Sequence, residues 1–357
     1  MHKPDTTPRL ISWNITLRCP LGCSHCYVDA GNREPDGVLQ TEEAKEVIDQ
    51  IRDVGSPLLI LSGGEPLLRE DLTELAAYGT EQGLRIAIGT SGYTLDQQMA
   101  VRLADAGVLA AAISLDSTDP DVHDSFRGVK GAWERAVSAI DACHDAGIRV
   151  QINMTVVRPQ RAAIDAVIGF GEEKGVADYH LFFPVHTGRG HSISLRSPEE
   201  YEKIIRDVLL HHSRDGITIR PTCAPQFRRI ADEIGIRNDA WGRGCLAGIT
   251  YCRIYANGDV TPCPYLPVSA GNLRNTTFKE IWNSSELFHA LRNQDNLTGR
   301  CGICSYRTIC GGCRARAYQG HAETRWCDGL REPGPVSRDI LAEDPLCWYQ
   351  PGEEADT

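Results

Sequence analysis

Short apolar runs alternate with helical stretches from residue 9 to residue 190. The runs at 10–17, 58–61, 84–88, 108–115, 148–157 and 179–185 read as strands. Between them, 41–54, 72–82, 95–106, 132–146 and 161–174 read as helices, the first amphipathic and opened by Thr41 with Glu43 and Ala44. Six strand–helix alternations imply parallel βαβ units. Eight such units close a full barrel, so six predict an α/β fold with an open, partial (β/α)6 TIM barrel. Beyond it, Ser197-Pro198-Glu199-Glu200 starts a helix with proline in its first turn, running to about His212. His211 and His212 read as solvated helix-end residues. The chain therefore divides into a barrel (1–190), a helical bridge (191–240) and a cysteine-rich region (241–357), whose acidic last residues, 352–357, are expected to fray.

Folds of this kind gather their chemistry at the C-terminal ends of the strands. Five motifs fall there: a cysteine run, Ser62-Gly63-Gly64-Glu65-Pro66, Thr90-Ser91-Gly92, Ser114-Leu115-Asp116, and Asn153. The run places Cys19, Cys23 and Cys26 in a C-x3-C-x2-C spacing followed by Tyr27. One short loop thus supplies three thiolates. A cubane iron–sulfur cluster takes four protein ligands, so three leave one iron open to bind something else. A zinc knuckle completed by His25 is the alternative. Gly63 and Gly64 let the backbone approach a ligand closely, and Glu65 or nearby carbonyls can accept hydrogen bonds from an ammonium group. Ser114, Asp116 and Asn153 are either ligand contacts or strand-end caps.

Composition narrows the setting. The 357 residues are 41% hydrophobic and 24% charged, with a net charge of −11 that disfavours nucleic acid and anionic membrane surfaces. No run of eighteen apolar residues predicts a membrane span, and Met1-His2-Lys3-Pro4-Asp5 has no signal-peptide core. Fourteen cysteines in such a chain predict metal thiolates in a reducing cytoplasm rather than disulfides, and oxygen-sensitive clusters fit anaerobic life.

Ten of those cysteines lie after residue 220. Cys245, Cys252 and Cys263 precede Cys301-x2-Cys304-x5-Cys310-x2-Cys313, and Cys327 and Cys347 follow. C-x2-C pairs grip a metal or a cluster edge from one loop, so two four-cysteine sites are possible, either iron–sulfur clusters or structural zinc. Cys143 reads as a small hydrophobe inside a helix. Cys223, in Thr222-Cys223-Ala224-Pro225, lies outside both patterns and reads as a substrate-side group.

The C-x3-C-x2-C run with its trailing Tyr27, and the Gly-Gly-Glu-Pro segment about forty residues on, resemble the radical S-adenosylmethionine (SAM) enzymes. The later cysteines resemble the SPASM extension, departing from it in the gap between Cys310 and Cys313. Thr187-Gly188-Arg189-Gly190, Thr222-Cys223-Ala224-Pro225, Gly244-Cys245-Leu246-Ala247-Gly248 and Cys313-Arg314-Ala315-Arg316-Ala317-Tyr318 resemble the heme-maturation group, the Ahb-type and NirJ proteins. The resemblance breaks between residues 320 and 341, around Cys327.

It implies a cluster on Cys19, Cys23 and Cys26, with SAM on the open iron and contacts from Tyr27, Gly63, Gly64, Glu65, Pro66, Ser91, Ser114, Asp116 and Asn153. It further implies one auxiliary cluster on Cys245, Cys252, Cys263 and Cys313. A second takes Cys301, Cys304, Cys310 and a distal cysteine, Cys347 in preference to Cys327. An iron-porphyrin substrate would meet Arg189, Arg228, Arg229, His186 and Cys223, and a low-potential ferredoxin or flavodoxin would supply electrons. The implied reaction is oxidative decarboxylation of iron-coproporphyrin III propionates. Acetate removal from didecarboxysiroheme, peptide maturation, and an electron carrier without catalysis stand as alternatives.

Overall fold

The computed structural model describes residues 7–157, 160–193, 197–213, 216–238, 241–320 and 338–352. Cys327, most of the 320–341 departure and the tail from 353, expected to fray, lie outside them. Seven parallel strands lie side by side in chain order: β1 (Leu10–Thr16), β2 (Leu58–Gly63), β3 (Arg85–Thr90), β4 (Val108–Ser114), β5 (Arg149–Thr155), β6 (Asp178–Phe182) and β7 (Thr218–Thr222). The first six are the strands the apolar runs predict. The seventh lies in the stretch read as a helical bridge. Its sequence, Thr-Ile-Arg-Pro-Thr, hides it, because proline removes a ladder donor and is tolerated in a sheet only at an edge. β7 is such an edge, with Pro221 opposite Leu181.

Helices α1 (Thr41–Arg52), α2 (Leu72–Glu81), α3 (Gln97–Asp105), α4 (Pro120–Arg127), α5 (Ala132–Asp145), α6 (Arg161–Glu173) and α7 (Pro198–His212) connect the strands. The caps explain most boundaries. Glu43 returns to the Gln40 amide in a capping box, Asp96 accepts from Met99, and Ser197 with Glu200 caps α7. The additional helix α4 has the same kind of signature: Asp119 accepts from the Asp121 and Val122 amides, Pro120 is first inside, and Gly128 closes it at φ 73°. Cys143 on α5 is fully buried among apolar side chains.

The chain then returns to the open side of the sheet. After α8 (Phe227–Glu233), β8 (Tyr251–Ile254) pairs in parallel with β1, and β9 (Asp259–Thr261) and β10 (Gly271–Asn272) extend the sheet antiparallel. Asn257-Gly258, with Gly258 at φ 87°, makes the turn between β8 and β9. Helices α9 (Phe278–Ser284), α10 (Glu286–Arg292), α11 (Gly299–Ile303) and α12 (Arg314–Gln319) follow. One apolar core runs from Ile11 and Trp13 through the barrel to Phe278, Trp282, Phe288 and Leu346, so the cysteine-rich region is packed on the barrel. On β1 the side chains divide by face. Ile11, Trp13 and Ile15 enter that core, and Ser12, Asn14 and Thr16 take the other face, toward the barrel interior.

Candidate functional site

The loop after β1 gathers Cys19, Cys23 and Cys26 in one small cluster with Leu21 and Ala30. Neighbouring elements hold its backbone. The Gly22 and Ser24 amides donate to the Arg127 and Phe126 carbonyls at the end of α4, at 3.0 and 3.3 Å, and the His25 ring stacks on Phe126 at 4.2 Å. From the far side, Arg189 donates through its amide to Cys26, through Nε to the Cys23 carbonyl and through Nη1 to the Ala30 carbonyl, each at 2.9 Å. Arg189, expected to meet the substrate, is thus a clamp on the cysteine loop. Its neighbour Gly188, at φ 54°, admits no side chain, since a Cβ would stand 2.4 Å from the Cys26 carbonyl oxygen. Burial pushes the Cys19 thiol up to about 12, and Glu65, Cys23 and Cys26 push the same way. Thiols that raise one another in this manner fit a cationic iron core, which reverses the local charge balance and deprotonates them.

Gly63 and Gly64 end β2 directly against that loop. A Cβ on either would lie 2.4 Å from the Thr16 carbonyl oxygen or 2.3 Å from that of Arg18. The glycines are required by backbone packing. Glu65 is fully buried, and its carboxylate accepts from Thr90 Oγ1 at 2.6 Å, from the Ser91 amide at 3.0 Å and from Ser91 Oγ. Glu65 and Ser91 therefore tie the end of β2 to the end of β3. Pro66 begins a single 3-10 turn capped by Glu65.

Ser114 and Asn153 stand opposite each other across β4 and β5, and Asn153 Oδ1 accepts from Gln151 at 2.6 Å. Asp116 is committed elsewhere. It takes Arg127 Nε and Nη2 at 2.7 Å each and the Thr155 amide at 2.9 Å, with His123 beside it. Burial is the largest influence on the Asp116 carboxyl and raises it, but Arg127, His25, His123 and the Thr155 amide together outweigh it and hold the group below the usual range. Asp116 thus orients Arg127, whose Nη1 approaches Cys23 Sγ at 4.0 Å, rather than facing a ligand as expected. Arg127 and His123 had their signal in the capped segment 119–128.

The later cysteines form two groups, one of which differs from expectation. Cys252 is fully buried in the apolar core, and Arg292 is the charged group acting on it. The side chain alternates on β8, so Cys252 points away from Arg253 and Tyr251, which face the barrel interior. Cys223 lies with this group instead, its thiol raised by burial and then by Cys313, Cys263 and Cys245. Cys223, Cys263 and Cys313 share a cluster with Val185 and Leu266, and Cys223 holds φ 59°. The second group is Cys301, Cys304, Cys310 and Cys347, which line one cavity with Gln226 and Arg229. A buried pair connects the two groups. Asp344 takes Arg316 Nε and Nη2 at 2.9 Å each and the Cys313 amide at 2.8 Å, while Arg316 Nη1 reaches the Cys223 carbonyl.

The remaining expected substrate groups are mostly engaged. Arg229, expected to pair with a substrate carboxylate, is ion-paired with Glu202 and Glu233 and lies 4.8 Å from the Tyr349 ring. His186 Nε2 donates to the Ile193 carbonyl at 2.8 Å, so that nitrogen is not open to iron. Arg228 stacks over Trp241 at 6.0 Å and keeps a buried Nε with no acceptor among the described residues. Tyr27 is enclosed by Asn14, Arg253 and Tyr265.

Comparison with known proteins places these features together. The family model described as the Radical SAM superfamily matches residues 13–164, and SPASM, an iron-sulfur cluster-binding domain, matches residues 245–313. An AdoMet-dependent heme synthase of Methanosarcina barkeri is 39% identical over 97% of this chain and 98% of its own. Another, from Nitratidesulfovibrio vulgaris, is 39% identical over 98% of this chain and 96% of its own. The crystal structure of Streptococcus suis SuiB bound to S-adenosylmethionine superposes with a TM-score of 0.72 at 18% identity, covering 91% of this chain and 77% of that one. It has the same fold.

Proposed function

Because the chain belongs to the radical SAM superfamily and carries a SPASM iron–sulfur domain, we propose that it works in heme biosynthesis, oxidatively decarboxylating two propionates of iron-coproporphyrin III to give heme b. The observation that carries this reading is the end-to-end likeness, at 39% identity over 97% of the chain, to an AdoMet-dependent heme synthase. Turning a propionate into a vinyl group releases one hydrogen atom, one electron and one molecule of carbon dioxide. When bound, a cubane cluster with SAM on Cys19, Cys23 and Cys26 would supply the hydrogen-abstracting chemistry, and clusters at the later cysteines would supply an acceptor for the electron.

Cys19, Cys23 and Cys26 would hold the first cluster, Cys223, Cys245, Cys263 and Cys313 the second, and Cys301, Cys304, Cys310 and Cys347 the third. Arg189, Gly188 and the end of α4 keep the first loop in place from both sides. Gly63, Gly64 and the Glu65 network bring the β2 and β3 ends against it. A low-potential ferredoxin or flavodoxin is the electron source this chemistry calls for.

Reduced, anaerobically reconstituted protein with SAM should form 5′-deoxyadenosine when iron-coproporphyrin III is added, and mass spectrometry should find the porphyrin decarboxylated. Cys19, Cys23 and Cys26 changed together to Ala should abolish SAM cleavage. The reading is overturned if iron-coproporphyrin III leaves SAM cleavage unstimulated while didecarboxysiroheme or a peptide stimulates it.

A further inference from the structure

On β8, Tyr251 and Arg253 share the interior face with Ser12 and Asn14 of β1, and Tyr251 Oη lies 2.6 Å from Ser12 Oγ. Arg253 is only 2% exposed. Its Nη2 donates to Tyr27 Oη, and its guanidinium lies 4.6 Å from the Tyr27 ring and 5.2 Å from that of Tyr255. Among the described residues no carboxylate pairs with it; the groups acting on its charge are Tyr27, Tyr251, Tyr255 and Tyr265. Neutral hydroxyls and ring faces compensate a buried cation weakly, and an uncompensated buried charge is costly. Of the other buried arginines, Arg127, Arg229 and Arg316 each face a carboxylate, and Arg314, which does not, has its Nη1 held by the Ile340 and Ala342 carbonyls.

Two donors at the same place lack acceptors. Arg253 Nε and Asn14 Nδ2 are buried and unpaired among the described residues, and Asn14, itself fully buried, uses its Oδ1 to accept from Tyr27 at 3.4 Å. A buried guanidinium with no carboxylate partner and two idle donors beside it is complementary to an anion with more than one acceptor oxygen, which describes a carboxylate. The position is also informative. Tyr27 follows Cys26 directly and Tyr265 lies two residues after Cys263, so Arg253 stands between the first cysteine loop and the Cys223 group.

We propose that Arg253 and Asn14 form a carboxylate-binding site between these two cysteine groups, and that it takes a propionate of the tetrapyrrole substrate. This rests on the porphyrin reading given above. SAM also bears a carboxylate, so the test must separate the two sources. Full-length, reconstituted Arg253→Gln, Arg253→Lys and Asn14→Ala are titrated with iron-coproporphyrin III, with its tetramethyl ester, and with SAM, and iron content is checked for each. Loss of a charged hydrogen-bond partner should weaken free-acid binding by about 10–100-fold in Arg253→Gln, with the ester and SAM affinities nearly unchanged and partial recovery in Arg253→Lys. If Arg253→Gln fails to retain iron, the same acid-against-ester comparison is read from Arg253→Lys and Asn14→Ala. Equal losses for acid and ester, or none, overturn the site. Weakened SAM binding with intact porphyrin binding assigns it to the SAM carboxylate and overturns the propionate. Wild-type protein that binds no porphyrin defeats the substrate reading itself, and the inference falls with it.

Discussion

At the residue scale, the distinction between Cys252 and Cys223 is set by a period of two and one backbone angle. Cys252 alternates with Tyr251 and Arg253 on β8 and is turned into the apolar core. Cys223 leaves the end of β7 at φ 59°, a conformation that side chains other than glycine adopt only where the surroundings impose it, and it packs in one cluster with Cys263 and Cys313. The two cysteines should therefore respond oppositely. Cys223→Ala is expected to lower the iron-to-protein ratio by about one cluster, roughly four irons if it is a cubane. Cys252→Ala is expected to keep full iron and lose about 1–2 kcal/mol of stability from the small cavity created. Iron analysis beside thermal unfolding reads both, and iron loss in Cys252→Ala alone would restore the assignment expected from the sequence.

At the element scale, α4 joins barrel to cysteine loop through buried charge. Asp116, His123 and Arg127 sit within one network, and Gly128, at φ 73°, lets the helix end touch Gly22. His123 is 1% exposed; burial first, then Arg127, lowers its pKa to about 4. Its unfolded pKa is near 6.5, so below that value the unfolded chain binds a proton that the folded protein refuses. Stability from this residue is complete above about pH 6.5 and falls between pH 6.5 and 4, by roughly 3 kcal/mol at about 1.4 kcal/mol per pH unit. His123→Gln should flatten denaturation midpoints across that window by a comparable amount. An unchanged slope would show that His123 is protonated in the folded protein.

At the scale of the whole molecule, the Asp344–Arg316 pair joins segments far apart in the chain. Both side chains are buried, and the pair touches the backbone of Cys223, of Cys313 and of Leu346, the residue before Cys347. Asp344→Asn leaves Arg316 buried without its carboxylate, a change that typically costs about 3–5 kcal/mol. Because the pair braces both four-cysteine groups, iron should be lost from both while SAM binding at the first loop survives. Loss confined to one group, measured by iron content with electron paramagnetic resonance, would show that the pair braces only that group.

The pattern of apolar runs determined the first six strands, the order of the sheet and the placing of five motifs at one end of it, because period and turn chemistry are local properties. The cysteine spacings likewise determined Cys19, Cys23 and Cys26 as one group, since a loop of eight residues cannot separate them far. Local pattern could not reveal β7, where proline is tolerated only because the strand is an edge. Nor could it show that Glu65, Asp116 and Arg189 are already engaged, since their main partners lie in other elements, or that Glu202 on α7 joins Glu233 of its own helix in holding Arg229. The exchange of Cys252 for Cys223 required knowing which face of β8 meets the core and where β7 ends. Arg253 reads in the sequence as an ordinary cation beside a strand; only the pairing of β8 with β1 encloses it among tyrosines, with no carboxylate partner among the described residues.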